Sequence, residues 1–398
     1  RHLQVKHRLI RSMTLDFKLS EDQKKLVAQF RDFGESTFTN ANVDKWTRDE
    51  GLPDDVVKAF VDLYASTGNP DSKRMHSLFD RVLIDEELSR CAGATLPFQP
   101  DMFNLQVTDA FANEEEFEFI LNDYVKDGRL MFALAISEPQ GGSDAMAMQT
   151  NTLSVDGRLI LNGCKTFVNN GEYAPYIMVA AIDKDDTSGG KYPALAFWLV
   201  PRNLEGITAV PLYKIGQSMV PFASILFDNV ELKPEYRLSG SEGGFRKLFQ
   251  LLEYARVFSC ASSLGMAQAA MEDAVAHARS RKAFGTQICR FQQIEEMLTD
   301  MEVTLVNMRN MLYRTVTIIE EDSPERRLAV PLMKRYIPKA AFEVADNAMQ
   351  ILGGLGYTEN SRVSRIWKDC RGNRLAEGTD QIMVRVAAPE IMSKYKTE

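Results

Sequence analysis

Histidine is scarce in this sequence, and its cysteines lack the spacing of a metal site or a disulfide framework. Of the 4 histidines, His2 and His7 lie at the extreme N-terminus, which leaves His76 and His277 for any histidine-based centre. The 5 cysteines are odd in number and scattered, without a Cys-x-x-Cys pair, as is typical of reduced thiols in a cytosol-like compartment. We therefore expect no metal site and no Ser-His-Asp triad.

Long apolar runs and an excess of basic charge are also missing. No run of about 18 apolar residues occurs, so we expect no transmembrane helix. The 55 acidic residues exceed the 47 basic ones, for a net charge of −8, whereas binding to nucleic acid requires a basic face. We expect a cytoplasmic protein, or a mitochondrial matrix protein if the chain is eukaryotic. A length of 398 residues predicts about two to three domains around a large core.

The N-terminal segment 1–13 carries basic side chains and no acidic one. Three origins are open for it: the remnant of a targeting peptide, an upstream extension of the reading frame, or a vector-derived segment. Met13, followed by a well-formed first element, favours the second and the third. We expect residues 1–15 to be a disordered basic extension and leave them out of the fold.

Apolar residues at helical spacing dominate residues 16–130, which predicts an N-terminal α-helical domain. Ser20, with Gln23 three residues later, is a capping-box signature for its first helix. The segment from Phe111 to Val125 is also predicted to be helical.

The pattern changes to short strands in residues 131–238, which predicts a middle domain that is a small β-barrel or sandwich. Asp156-Gly157 lies between two alternating segments and predicts a tight hairpin. The other predicted elements are strands at Tyr176–Ile182, Ala194–Val200, Ile207–Pro211 and Ala223–Phe227, and a solvated loop at Asp183–Gly190.

Long helices return in residues 239–398, which predicts a C-terminal four-helix bundle and an α+β protein overall. Its predicted helices are Phe245–Arg281, Gln292–Glu321, Pro324–Leu352 and Thr379–Lys394. Ser323 before Pro324 predicts an N-cap followed by proline at the first helical position.

Several motifs allow either a structural or a ligand-binding interpretation. Residues Leu134–Asp144 leave a strand and enter a Gly-Gly-Ser-Asp turn, which is either a plain β-turn or an anion-binding turn. Gly353-Gly354 follows a helix and is typical of a helix C-cap. Glu377 precedes the last helix, where a carboxylate either complements the helix dipole or acts as a general base in an apolar pocket.

Taken together, these motifs resemble the acyl-CoA dehydrogenase family of flavoproteins, in the same order and at similar spacing, from about Asp16 to Tyr395. The segments that carry the resemblance are Ile136–Asp144, Asn162–Asn170, Arg281–Gln292, and Gln350–Gly354 leading to Glu377–Thr379. Two stretches, Ala340–Gly354 and Arg362–Arg371, are most similar to the crotonobetainyl-CoA reductase branch of the family.

The resemblance implies FAD as the cofactor and a set of residues that contact it. The implied FAD contacts are Leu134, Ile136, Ser137, Gly142, Ser143, Phe167, Asn169, Arg281, Phe284, Gln292, Gln350, Gly353, Gly354, Thr379 and Gln381. In the family, the positions matching Arg281, Phe284 and Gln292 reach the FAD of a neighbouring subunit, which implies a homodimer or homotetramer. The implied substrate contacts are Ser143, Glu253, Arg256 and Gly378.

The resemblance also implies a reaction. Glu377 would remove the α-proton of an acyl-CoA thioester while hydride leaves the β-carbon for flavin N5. The Glu377 N–H and the flavin ribose would hold the thioester carbonyl, and the electrons would pass to an electron-transfer flavoprotein. The alternatives are an enoyl-CoA reductase that runs in reverse, a flavin oxidase, and a non-catalytic flavoprotein of the same fold.

Four features depart from the family pattern. Ala255 stands where some members carry the base, which leaves Glu377 as the candidate. Asn169 stands where a threonine or serine usually bonds flavin N5, and Ala376 replaces a bulky aromatic and opens the pocket. The Gly-rich loop expected after the third helix is replaced by Ser66–Met75.

Overall fold

The computed structural model describes residues 18–68, 75–130, 132–186, 193–238 and 243–396. The expected basic extension at residues 1–15 therefore lies outside the described residues. So do residues 69–74 of the segment Ser66–Met75 and residues 187–190 of the predicted loop Asp183–Gly190.

The N-terminal region is helical in its described parts, as predicted. Its helices are α1 (Glu21–Thr37), α2 (Asn40–Arg48), α3 (Asp54–Ser66), α4 (Leu78–Ala92), α5 (Phe98–Phe111) and α6 (Glu114–Asp127). The predicted capping box is present, because the Ser20 hydroxyl accepts from the Gln23 N–H and the Gln23 side chain accepts from the Ser20 N–H. Two donors that would otherwise be unpaired at the start of α1 are thereby satisfied.

The prediction of a helix starting at Phe111 was wrong at its N-terminal end. Phe111 is the last residue of α5, and the next helix begins at Glu114. Asn113 separates the two, because its side chain accepts from the Glu116 N–H while the Glu116 side chain accepts from the Asn113 N–H. This second capping box resets the helix, and the apolar spacing alone did not reveal it.

The middle region is one mixed sheet. Its strands are β1 (Phe132–Ala135), β2 (Asn151–Val155), β3 (Arg158–Asn169), β4 (Tyr176–Asp183), β5 (Leu195–Pro201), β6 (Ile207–Leu212) and β7 (Phe222–Leu232). They follow the order β1-β4-β2-β3-β7-β6, with β5 also paired to β4. The predicted hairpin is confirmed: Val155 pairs with Arg158, and Asp156 and Gly157 have φ angles of 51° and 80°, as a tight two-residue turn requires.

Strand β4 has a continuously apolar sequence rather than an alternating one, because both of its faces are covered. Ile177, Val179 and Ala181 pack into a core inside the sheet. Met178, Ala180 and Ile182 face the opposite way and join the core that the helices form. A strand covered on both faces buries every side chain. Strand β4 therefore lies between the core enclosed by the sheet and the core that the helices form.

The C-terminal region returns to helices. They are α7 (Phe245–Ser280), α8 (Gln292–Glu320), α9 (Arg326–Leu352), α10 (Arg362–Asn373) and α11 (Asp380–Lys394). A short hairpin, β8 (Lys282–Ala283) with β9 (Thr286–Gln287), joins α7 to α8. Helix α10 is missing from the sequence-based set of four.

The predicted start of α9 was wrong by two residues. Helix α9 begins at Arg326, and its N-cap is Glu325 rather than Ser323. The Ser323 hydroxyl accepts from the Glu325 N–H at 3.3 Å, so it closes a turn ahead of the helix. Pro324 lies in this turn and not at the first helical position.

The described ranges contain neither a membrane-spanning helix nor a cluster of metal-ligating side chains. No helix there is long and apolar enough to cross a membrane. No group of three or more His, Cys, Asp or Glu side chains there has the arrangement of a metal site. All 5 cysteines are free thiols.

Candidate active site

Glu377 lies in the segment that joins α10 to α11, in an unusual backbone conformation. Its φ angle is +57°, and that of Gly378 is +96°. Two successive positive φ values are rare away from turns, and non-glycine residues in this region cluster at functional sites. Thr379 then caps α11, because its hydroxyl accepts from the Ile382 N–H at 3.3 Å.

Two buried cations hold this segment through its main chain. Arg256 on α7 donates from Nε to the carbonyl oxygen of Glu377 at 3.0 Å. Lys334 on α9 donates from Nζ to the carbonyl of Asn373 at 2.7 Å and reaches that of Gly378 at 3.5 Å. Within the described chain, no donor or cation bonds the Glu377 carboxylate itself, which leaves its oxygens available for a proton.

The electrostatic surroundings of Glu377 suit a proton acceptor. Burial raises the pKa of its carboxyl above the usual value, and the nearby charges of Lys334 and Arg256 oppose the increase. Burial also lowers the pKa of the Arg256 guanidinium, against the attraction of Glu377 and Glu253. A carboxylate whose pKa is moved toward the working pH accepts a proton more effectively than an ordinary surface glutamate.

Glu253 lies one turn before Arg256 on α7, where the resemblance implied a substrate contact. Its carboxylate lies 3.5 Å from the Arg326 guanidinium. Burial raises the pKa of Glu253, and the charges of Arg326, Arg256 and Arg327 oppose this shift. A basic environment therefore surrounds this side of the segment, as recognition of an anionic group requires.

A second group of predicted residues lies at the C-terminal ends of β1 and β3. Leu134 is on β1, and Ile136, Ser137, Gly142 and Ser143 follow in the turn. The Ser137 carbonyl accepts from the Thr166 N–H at 2.9 Å, and the Ile136 carbonyl accepts from Lys165 Nζ at 2.9 Å. Both donors are on β3, so the turn is bonded directly to the strand that carries Phe167 and Asn169.

Glu138 fastens this turn from inside. Its carboxylate lies 2.8 Å from Lys165 Nζ and accepts from the N–H groups of Gln149 and Thr150 at 2.7 and 2.9 Å. The Gln140 side chain donates to it as well. Burial favours the neutral acid, but the Lys165 charge and these donors outweigh it and lower the pKa of Glu138 to about 2. The ionised Glu138 carboxylate therefore holds the turn in place.

Phe167 and Asn169 present the features that a flat, partly polar ring system would satisfy. A register shift between β3 and β7 lies at this point, Phe167 has a φ angle of +57°, and its ring is 63% exposed. A bulge of this kind redirects a side chain. Asn169 Oδ1 beside it is buried without a hydrogen-bond partner in the described chain. The isoalloxazine of FAD, which the resemblance implies as the partner of these residues, is a ring system of this kind.

The loop between β6 and β7 connects the two groups. Lys214 lies over the Phe222 ring at 3.8 Å, and the Phe222 and Phe167 ring centroids are 6.3 Å apart. Three residues on, Gln217 donates from Nε2 to Asn373 Oδ1 at 2.8 Å. Since Lys334 holds the carbonyl of Asn373, the Phe167 face and the Glu377 segment are joined by consecutive contacts.

The remaining predicted cofactor residues are exposed and share no direct bond with either group in the described chain. Arg281, Phe284 and Gln292 lie at and beside the β8–β9 hairpin, with Phe284 98% exposed. Gln350, Gly353 and Gly354 lie at the exposed end of α9, where Gly353 is the C-cap. Gln381 is exposed in the first turn of α11. The exposure of Arg281, Phe284 and Gln292 leaves them accessible to the neighbouring subunit that the resemblance implies.

Sequence reasoning missed the residues that hold the site together: Glu138, Lys165, Gln217, Lys334, Asp369 and Asn373. One signal was available for Lys334. It falls on the apolar face of α9 among Val330, Met333 and Ile337, which are all fully buried. A lysine on such a face must find buried acceptors.

Comparison with known proteins agrees with this arrangement. Residues 133–230 match the middle domain of acyl-CoA dehydrogenases, and residues 242–392 match their C-terminal domain. The probable acyl-CoA dehydrogenase YdiO of Escherichia coli K12 is 33% identical over 388 residues, which cover 96% of this chain and 100% of that protein.

Solved structures give the same result. An acyl-CoA dehydrogenase from Slackia heliotrinireducens is 50% identical, with a TM-score of 0.85 over 96% of this chain and 98% of that one. Butyryl-CoA dehydrogenase from Megasphaera elsdenii is 26% identical, with a TM-score of 0.87 over 95% of this chain and 100% of that one. The helical, β and helical layers are thus those of a flavin-dependent oxidoreductase. The chain belongs to the acyl-CoA dehydrogenase family.

Proposed function

We propose that this chain oxidises the α,β bond of an acyl-CoA thioester, with Glu377 as the base that removes the α-proton. The observation that carries the proposal is the Glu377 segment. Its main chain is held by Arg256, its carboxylate has no competing partner in the described chain, and burial raises its pKa. This combination favours general-base catalysis.

FAD is the cofactor of this family, and when bound it supplies the hydride acceptor. The turn Ser137–Ser143, Phe167 and Asn169 would hold its ring. Exposed Arg281, Phe284 and Gln292 would contact the FAD of a second subunit in a homodimer or homotetramer. Gln350, Gly353, Gly354, Thr379 and Gln381 complete the proposed contacts.

The residues around Glu377 orient the substrate. The Glu377 N–H would donate to the thioester carbonyl and stabilise the negative charge that develops there as the α-proton leaves. Arg256 aligns the segment through the Glu377 carbonyl, while Gly378, Glu253 and Ser143 would contact the thioester and pantetheine. We further propose an electron-transfer flavoprotein as the electron acceptor.

The test is anaerobic reduction of the bound flavin by a panel of acyl-CoA thioesters, followed at the flavin absorbance. We expect wild-type protein to bleach and Glu377→Gln to bind substrate without bleaching. Glu359→Gln, a substitution of an exposed glutamate before α10, is the matched control and should bleach normally.

Two outcomes would contradict the proposal. Normal bleaching by Glu377→Gln would mean that the base is elsewhere, and a protein that cannot be loaded with FAD would exclude the reaction altogether.

Enoyl-CoA thioesters added to the reduced enzyme test the reverse direction. Reoxidation by an enoyl-CoA without reduction by any acyl-CoA would assign the chain to the reductases.

A further inference from the structure

Lys334 carries its amino group in the protein interior, where burial lowers its pKa and the nearby acids, Glu377 among them, oppose the decrease. Its side chain is fully buried in the middle of α9, and in the described chain its partners are main-chain carbonyls, not carboxylates. Its hydrogen bonds go to Asn373 at 2.7 Å and Gly378 at 3.5 Å. A buried charge of this kind is costly, and the fold of α9 does not require it, since neighbouring core positions are apolar.

The two carbonyls that Lys334 binds stand at opposite ends of the segment that carries Glu377. Asn373 is the last residue of α10, so its carbonyl lies at the negative end of the helix dipole, where a cation is favoured. Gly378 immediately follows Glu377. One ammonium group therefore fixes both the entry to this segment and its exit.

The Asn373 end of this clamp is itself anchored. Its side chain donates from Nδ2 to Ser263 Oγ on α7 at 2.8 Å and accepts from Gln217 Nε2 at 2.8 Å. Gln217 also donates from its main-chain N–H to Asp369 on α10 at 2.5 Å. The carbonyl that Lys334 holds thus belongs to a residue fixed by α7 and by the loop beside the predicted flavin face.

The charged and titratable groups near Lys334 and Glu377 come from several elements. Arg256 and Cys260 face them from α7, Lys334 faces Glu377 from α9, and Asp380 faces Lys334 from α11. Asp380 is committed elsewhere, since Arg374 bonds it at 2.7 Å and Arg335 lies 3.4 Å from it. Burial raises the pKa of the Cys260 thiol to about 12, so this group is uncharged near neutral pH. Glu377 is therefore the acid that Lys334 can serve as a counter-charge.

We propose that Lys334 is a positioning residue for proton abstraction, whose ammonium clamps both ends of the Glu377 segment and supplies a counter-charge to its carboxylate. This inference rests on the proposed role of Glu377 as the base. Lys334 acts through Glu377 and contacts neither thioester nor flavin. It stabilises the ionised form of the base and limits the movement of the segment at the same time.

The experiment compares Lys334→Met, Lys334→Gln and the control Lys339→Met in flavin-loaded protein. Methionine is close to lysine in size but has no charge and no donor, whereas glutamine keeps a donor without the charge. Lys339 is on the same helix, half-exposed, 3.7 Å from Glu343. The measurements are the pH dependence of flavin reduction and hydrogen exchange of segment 374–379, where Leu375 and Ala376 donate to Gly372.

We expect Lys334→Met to move the acidic limb of the rate profile upward by about one pH unit, because a lost opposite charge favours the protonated acid. Its maximal rate should fall about tenfold or more, since small displacements of a base are costly, and exchange in segment 374–379 should accelerate. Lys334→Gln should show the same shift in the acidic limb. Its loss of rate should be smaller than that of Lys334→Met, and its exchange in segment 374–379 should be slower than in Lys334→Met. Lys339→Met should match wild type throughout.

A flavin-loaded Lys334→Met variant with the wild-type limb and wild-type exchange would overturn the inference. If this variant does not fold, an unshifted limb in Lys334→Gln has the same force. Failure of the underlying function is distinguishable, because Glu377→Gln would then still reduce flavin. If Glu377→Gln is inactive while Lys334→Met behaves as wild type, only the positioning role is rejected.

Discussion

The Lys165 ammonium lies 2.8 Å from the Glu138 carboxylate, and both side chains are almost completely removed from solvent. Lys165 is on β3 and Glu138 is in the turn after β1, so the pair bonds the turn to the strand that carries Phe167. Buried pairs of this kind seldom stabilise a protein more than apolar residues of the same volume would. The pair here fixes one conformation of a turn that contains two adjacent glycines, Gly141 and Gly142.

Breaking this pair should be strongly destabilising. Glu138→Gln leaves the Lys165 ammonium buried without a counter-charge, which we expect to lower the free energy of unfolding by about 3–5 kcal/mol. The double variant Lys165→Met with Glu138→Gln should recover part of the loss. Urea unfolding checks both, with Lys184→Met, an exposed lysine of the same domain, as the control. Equal losses in the single and double variants would contradict the reasoning.

The same carboxyl should contribute to acid sensitivity. Its pKa is about 2 in the folded protein against an ordinary value of 4.5, so between these pH values the unfolded chain binds more protons. Stability from Glu138 is therefore complete above pH 4.5 and is lost as the pH falls toward 2. Between pH 5 and 3.5, wild type should lose about 1 kcal/mol more than Glu138→Gln, as measured by urea unfolding. Parallel pH profiles would exclude this contribution.

Arg256 should matter for rate more than for folding. Its Nε donates to the Glu377 carbonyl, and Arg256→Gln removes both this alignment and a positive charge near the base. We expect flavin reduction to slow by about tenfold to a hundredfold, with a smaller change in the substrate concentration at half-maximal rate. Arg246→Gln, at the exposed start of the same helix, should be unaffected. A purely structural Arg256 would lower the melting temperature and leave the rate per folded flavin unchanged.

Sequence patterns predicted the elements well where local rules decide them. The capping box at Ser20 and the Asp156-Gly157 hairpin are set by residues within a few positions, and both are confirmed. Helix α10 was missed, although its buried side chains include Val363 and Ile366. Several of its positions hold arginine, lysine or aspartate, and two of these side chains bond residues that are distant in sequence. Arg365 forms an ion pair with Asp44, and Asp369 accepts from the N–H groups of Thr95 and Gln217.

The site residues divide in the same way, into those that short motifs identify and those that only the fold brings together. The resemblance identified residues whose chemistry is recognisable in a short motif, among them Glu377 and Arg256, and the structure brings these two together. Lys334, Gln217 and Asn373 could not be inferred from short motifs, because they lie in separate segments and meet only after the chain has folded. Contacts between residues far apart in sequence are set by packing, not by local spacing.

Phe284 should be covered by a second subunit. It is 98% exposed at the tip of the β8–β9 hairpin, where a large aromatic side chain is unfavourable in water. We expect Phe284→Ser to weaken retention of FAD during gel filtration, while Phe119→Ser, also at an exposed aromatic (63% exposed), should retain it. Flavin content per chain and oligomer size are the measurements. Unchanged values for both in Phe284→Ser would exclude the proposed subunit contact.

Gly378 provides a test that separates backbone strain from function. It has a φ angle of +96°, and a Cβ atom there would lie 2.8 Å from Met383 Cε; Gly157 has a φ angle of +80° with open space around it. Alanine at either position should cost about 1 kcal/mol of stability, because its side chain disfavours positive φ. Only Gly378→Ala should also slow flavin reduction, since the strain is relieved by rotating the segment that aims Glu377. The melting temperature and the rate of anaerobic bleaching are measured on both variants, and a rate loss in Gly157→Ala equal to that in Gly378→Ala would show that general destabilisation explains the effect.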